Sequence, residues 1–251
     1  MARYSIDISE EAGIRSLHFG SDWVQGAMRV RRPFDLELAY TREMMAGLLL
    51  RDAPWPKNAL LVGLGAGSLA KFIHRNLPQT RSTVVEIDER VELAARLHFR
   101  LPDDPLRLNV VIADAVDYLL REERSFDLIL LDGFDSSGRA GALDTAAFYT
   151  ACRAHLTDTG LLSVNLLGRN RGFQASAARI AAAFDDRCCV FPSCDSGNVI
   201  AFAAVGEKVD VDPDTLKARA EALRLESGLN LLPTVARLAA AGAFSGGRLC
   251  F

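Results

Sequence analysis

The residues best placed to do chemistry fall at four points of the chain. They are three glycines at alternate positions (Gly63, Gly65, Gly67), Glu86, Asp114 with Ala115, and Asp132 with Asp135. The glycines follow the apolar run Leu60-Leu61-Val62 and lead into Ser68-Leu69-Ala70-Lys71-Phe72, which has helical spacing. Lacking a Cβ, they let the backbone turn sharply and a ligand approach it closely. A helix opening near Ser68 would aim its free N–H groups and positive dipole end into the same space. Glu86 lies about 20 residues beyond the glycines, where nucleotide-binding α/β folds take ribose hydroxyls. Its two oxygens can accept from both hydroxyls. Asp114 can accept from the exocyclic amine of adenine, or cap the helix that follows it. Asp132 and Asp135 can together hold a cation, or orient and deprotonate an amine. A loop held by side chain–backbone hydrogen bonds is the alternative for that pair.

Positioning these groups requires strands that end at each of them. Residues 81–87, 108–112, 126–131 and 160–165 read as strands, and helices are expected over 68–76, 89–99, 116–121, 145–155 and 173–184. Residues 187–191 and 198–204 fit a closing antiparallel pair. Such alternation predicts an α/β fold of Rossmann-like type, a doubly wound and mostly parallel sheet with helices on both faces. Ligands collect at the carboxyl ends of such strands. The glycines, Glu86, Asp114 and Asp132 all fall at those ends. Ahead of this unit, residues 1–35 alternate apolar and polar side chains and predict a small β-domain built on a hairpin. A helix over 36–50 begins the main domain, which extends to about residue 206, and residues 207–251 read as a helical tail.

Composition bounds the partners. A net charge of −3 over 251 residues gives no basic face for nucleic acid. The five cysteines are odd in number and lack paired metal-ligand spacing, so no metal is expected and the thiols should be reduced. The N-terminus has no apolar signal region and no run is long enough to cross a bilayer, which predicts a cytoplasmic protein without membrane association.

From about residue 16 to 204 the sequence resembles the spermidine synthase-like aminopropyltransferases, relatives of the class I S-adenosylmethionine methyltransferases. Val85-Glu86-Ile87-Asp88-Glu89-Arg90-Val91 is similar to the family's ribose-binding segment, and Ala113-Asp114-Ala115 to its adenine-binding segment. Phe126-Asp127-Leu128-Ile129-Leu130-Leu131-Asp132 is similar to the strand leading to its catalytic aspartate. Phe148-Tyr149, Phe191-Pro192 and Ser196-Gly197 also fall where the family has like residues. The resemblance implies attack of an amine on the methylene beside the sulfonium of decarboxylated S-adenosylmethionine, releasing methylthioadenosine. It places Asp132 and Asp135 in catalysis, and Gly63, Gly65, Gly67, Glu86, Asp114 and Ala115 around the nucleoside. Gln25 and Arg42 are the candidate substrate-binding residues.

Departures bear on the acceptor. The family carries an acid where this chain has Ala66, and its Tyr-Gln pair before Glu-Met reads here as Thr41-Arg42 before Glu43-Met44. A late substrate-lining tyrosine falls near Cys194. An apolar Ala66 and a cationic Arg42 are poor partners for a diamine's second ammonium. Arg42 could instead pair with a carboxylate, such as that of intact S-adenosylmethionine, or simply be an exposed helix residue. The expectation is therefore a transferase of a small-molecule amine, able to form a homodimer, with its polyamine side altered. Methyl transfer from S-adenosylmethionine and a non-catalytic adenosyl-binding relative are the alternatives. A dehydrogenase fits worst, because the dinucleotide motif's last glycine would fall at Ser68.

Overall fold

The computed structural model describes residues 4–134, 138–167, 172–194 and 197–251, so Asp135 and Ser196 lie outside the described residues. Three antiparallel strands, β1 (Ile6–Glu11), β2 (Ile14–Phe19) and β3 (Val24–Arg29), form the N-terminal sheet in chain order. The Ala12-Gly13 turn sets the register, with Glu11 opposite Ile14. Leu17 and Met28 on its inner face are fully buried.

A short helix α1 (Ala39–Met44) runs into a 3-10 turn over Met45–Leu49. The single helix expected over 36–50 is thus shorter and tightens midway. Leu38 is extended at its start, and Gly47, a poor helix former, lies in the tightened part. The main sheet comprises β4 (Asn58–Val62), β5 (Arg81–Glu86), β6 (Leu108–Ile112), β7 (Phe126–Leu131), β8 (Leu156–Leu167), β9 (Cys188–Val190) and β10 (Asn198–Ala204). Its order is β6-β5-β4-β7-β8-β10-β9, with β6 to β8 parallel and the last two strands antiparallel. Helices α2 (Ser68–Asn76), α3 (Glu89–Phe99), α4 (Ala115–Arg121), α5 (Ala146–Ala154) and α6 (Gly172–Ala183) connect the strands.

The period of two along β4 shows how the core is divided. Ala59 and Leu61 pack on one face with Met44, Phe72 and Phe202. Leu60 and Val62 pack on the other with Ile129, Phe148 and Leu162. A strand apolar on both faces is one that helices cover twice. The strand order reverses between β4 and β7, and the crevice at that reversal is where such sheets receive ligands.

The tail folds back as α7 (Pro213–Ser227) and α8 (Leu232–Ala240). A two-stranded ribbon of β11 (Asp210–Val211) with β12 (Leu249–Cys250), not expected from the sequence, accompanies them. Arg51 ties the ribbon's approach to the sheet by donating to the carbonyls of Thr159, Glu207 and Lys208. Lys71 of α2 sits deep in the core, 1% exposed, and its Nζ donates to the Phe99 carbonyl over 2.8 Å. Desolvation pulls its pKa down to about 7. Among the described residues no helix is long and apolar enough to cross a membrane.

Candidate functional site

Parallel pairing brings the strand ends together. Val62 lies beside Val85 on one side and Leu131 on the other, so Gly63, Glu86 and Asp132 emerge next to one another. They open into a cavity of about 960 Å³ that also reaches Gln25, Asp114 and Ala115. Gly63 has φ +93°, and a Cβ there would stand 2.5 Å from the Asp132 carbonyl oxygen, so no other residue fits. Gly65 lines the same cavity. Gly67 does not; it is the left-handed residue that opens α2.

Glu86 is 8% exposed, yet both of its oxygens are used. One accepts from the Leu64 N–H over 2.9 Å and the other from the Asp88 N–H over 3.0 Å. Burial raises its pKa, while these backbone bonds and the Ile87 N–H oppose the rise. Each oxygen keeps a second lone pair for a ligand hydroxyl. Asp88 is held at about pKa 2, chiefly by the Arg90 side chain, and also accepts from the Tyr4 hydroxyl over 2.8 Å. Asp114 lines the cavity, and its Oδ1 caps α4 by accepting from the Val116 N–H.

Asp132 ends β7 with its backbone N–H on the Val62 carbonyl. Its side chain accepts from Asn165 Nδ2 of β8 over 2.8 Å and from the Tyr40 hydroxyl of α1. Burial outweighs these two donors and pushes its pKa up to about 6. A carboxylate so placed is ionised at neutral pH and basic enough to receive a proton.

Two of these groups were not anticipated. Tyr40 directly precedes the Thr41-Arg42 pair taken as the family's Tyr-Gln position, and it is Tyr40 whose hydroxyl reaches the site. Asn165 is a buried polar residue near the carboxyl end of β8, the strand that neighbours β7, which is the signal that could have found it. Thr41 lines the cavity, but Arg42 is not among its lining residues. The Arg42 guanidinium instead donates to the carbonyls of Leu36 and Glu37, over 2.9 and 2.7 Å. Ala66 is 2% exposed and packs with Leu17, Met28, Ala94 and Phe99. A Cβ on Gly26 would lie 2.7 Å from the Ala66 Cβ, so the N-terminal sheet presses directly on this loop.

Residues 37–166, which include Tyr40, Glu86, Asp132 and Asn165, match the spermine/spermidine synthase domain. The chain belongs to this family. Over 241 residues it is 36% identical to the polyamine aminopropyltransferase of Neisseria meningitidis serogroup A, covering 96% of this chain and 91% of that one. Such relatives make it a transferase. Among solved structures it is similar to human methyltransferase-like protein 13 in complex with SAH, at 26% identity and a TM-score of 0.67. That match covers 76% of this chain and 93% of the other. A probable spermidine synthase from Corynebacterium glutamicum shares the fold, with a TM-score of 0.73 and 21% identity over 88% of this chain and 84% of that one.

Proposed function

We propose that the protein is an aminopropyltransferase that binds decarboxylated S-adenosylmethionine and transfers its aminopropyl group to an amine. The observation that carries this reading is the half-buried Asp132 carboxylate at the switch point, held by Tyr40 and Asn165 beside the glycine loop and Glu86. The cradle suits an adenosyl group: Gly63 leaves room that a side chain would fill, and Glu86 has lone pairs to spare for a ribose diol. Asp114 and Ala115 would border the adenine, and Gln25 the donor's chain. In the reaction the acceptor nitrogen's lone pair forms the new N–C bond. The C–S bond breaks, and its electrons neutralise the sulfonium to give methylthioadenosine. Asp132 aligns the amine and takes the proton that the nitrogen releases.

The placement of three arginines favours the decarboxylated donor over the intact one. Arg42, the candidate for a carboxylate partner, is turned onto backbone carbonyls outside the cavity. Arg90, which does line it, is engaged by Asp88 through Nε and Nη2. The cavity's other cation among the described residues, Arg139, is solvent-exposed. On the acceptor side the apolar Ala66 offers no charge to a diamine's second ammonium, so putrescine should be a poor acceptor.

Methyl transfer is the second reading, favoured by the likeness to methyltransferase-like protein 13. Calorimetry with decarboxylated and intact S-adenosylmethionine separates the two. Tighter binding of the decarboxylated form, with methylthioadenosine released on adding an amine, supports aminopropyl transfer. Preference for the intact form, with S-adenosylhomocysteine as product, supports methyl transfer.

A further inference from the structure

We infer that the C-terminal helix α8 is a positioning element of the site, acting through Glu43 on α1 to keep the Tyr40 hydroxyl on Asp132. Tyr40 and Glu43 stand one turn apart on a helix of only six residues, so displacing one moves the other. Glu43 is 2% exposed. Its Oε2 accepts from Thr234 Oγ1 of α8 over 2.7 Å and from the Arg237 guanidinium of the same helix. The far end of α1 is fixed independently, by Ser163 Oγ of β8 donating to the Met44 carbonyl over 3.1 Å. Two residues further along β8, Asn165 supplies the second donor to Asp132. A half-buried carboxylate is thus oriented by two elements, and one of them is itself held by the tail.

Nothing in α1 alone makes it rigid. It has no side-chain cap at its start, and its last turn passes into the 3-10 turn. A six-residue helix is far below the length that is stable by itself. The tail supplies that missing restraint, although α8 lies beyond the residues that match the family domain. Thr234 and Arg237 are one turn apart on α8 and converge on one oxygen of Glu43, which fixes the angle as well as the distance between the helices.

This inference rests on the reading of Asp132 as the group that handles the acceptor's proton, so its test uses a signal that needs no turnover. Among the described residues, the charged and titratable groups that share the cavity with Asp132 are Tyr4, Tyr40, Glu86, Asp88, Arg90, Asp114 and Arg139. In the full chain labelled with 13C at aspartate side-chain carboxyls, Asp132 is identified as the resonance lost in Asp132→Asn. Tyr40→Phe removes one hydrogen bond to the ionised form, and the resonance should titrate about one pH unit higher. Arg237→Met and Thr234→Val should move it the same way, and Arg237→Lys should restore most of the shift. Adding Tyr40→Phe to Arg237→Met should give no further change, since both act on one contact. Arg219→Met is the control. It cuts a separate tie of the tail, to the Leu49 carbonyl and Asp52, without touching Glu43. An Asp132 titration unmoved in both Arg237→Met and Thr234→Val, or moved equally by Arg219→Met, overturns the inference, whatever the melting temperatures do. If Arg237→Met does not fold, Thr234→Val decides alone. Should the titrations move as expected while no amine is turned over, the positioning role stands and the proposed reaction fails.

Discussion

Replacing Glu86 separates ligand binding from loop order, because its carboxylate does two jobs at once. In the free protein it accepts from Leu64 N–H and Asp88 N–H. In the proposed complex it would also accept from two ribose hydroxyls. Glu86→Ala removes both ligand bonds, each worth about 1.5–3 kcal/mol for a charged acceptor, so methylthioadenosine should bind about a hundredfold to ten-thousandfold more weakly. It also strands the two backbone donors, which water entering the cavity can partly serve. Glu86→Gln is the sharper variant. Its amide nitrogen must face one of the two N–H donors, and only one oxygen remains to accept. It should therefore lose about a hundredfold in affinity while keeping its volume. The pH dependence offers a second check. Burial raises the Glu86 pKa, so affinity in the parent protein falls as pH drops through that raised value and the carboxylate protonates. In Glu86→Gln that acid limb should vanish. Isothermal titration calorimetry with methylthioadenosine between pH 5 and 8, beside a melting curve for each variant, makes the measurement. A Glu86→Ala protein that melts lower but binds within threefold of the parent would refute the ribose assignment.

Asp132→Asn should slow transfer about a hundredfold to ten-thousandfold in a product assay, the usual worth of a positioned base. It should also stabilise the fold above pH 6. The native carboxyl titrates near about 6 against 3.8 unfolded, so the stability lost as the parent ionises is absent in the variant. The stability gap, read from melting curves, should grow as pH rises from 4 to 6 and close toward pH 4, reaching at most about 3 kcal/mol, since the side chain borders the cavity. Lys71→Met tests the opposite case. With a native pKa near about 7 against 10.5 unfolded, the parent should gain stability from pH 7 toward 10 as the buried amine sheds its proton. The variant should be flat across that window and, despite losing the bond to the Phe99 carbonyl, more stable at pH 6; a parallel pH dependence in both proteins would contradict the assignment. Ala66→Asp should lower stability by about 2–4 kcal/mol, because it pushes a carboxylate into an apolar cluster. Putrescine turnover should stay low in that variant, and spermidine formation rising tenfold over the parent would show that the position lies open to substrate.

Much of this molecule was legible because its signals are local and periodic. The glycine run, the strand alternation and the acids at strand ends needed only spacing to place them, and the sheet assembles them where that spacing predicts. What escaped depended on direction. Arg42 has a long side chain that can point to a cavity or to carbonyls five and six residues back, and only folded coordinates choose between these. Tyr40 escaped because spacing alone does not say which side of a short helix meets Asp132, and a helix turns by about 100° per residue. Asn165 was seen as part of a strand but given no partner, since pairing across β7 and β8 is a long-range fact. The ribbon of β11 and β12 has two residues per strand, too few to show any period.

If the glycine loop holds the proposed nucleoside, the press of Gly26 on Ala66 makes the N-terminal sheet its thermodynamic partner. That sheet also reaches the main domain through Ser68 Oγ on the Ala27 carbonyl and Arg15 on the His98 carbonyl. A ligand that orders the glycine loop therefore favours the docked sheet, and by reciprocity the docked sheet must favour the ligand by the same factor. Amide hydrogens of β2 and β3 should exchange more slowly when methylthioadenosine binds, although none of them need touch it. The affinity of this protein for its nucleoside is then set partly by how seldom its first thirty residues peel away.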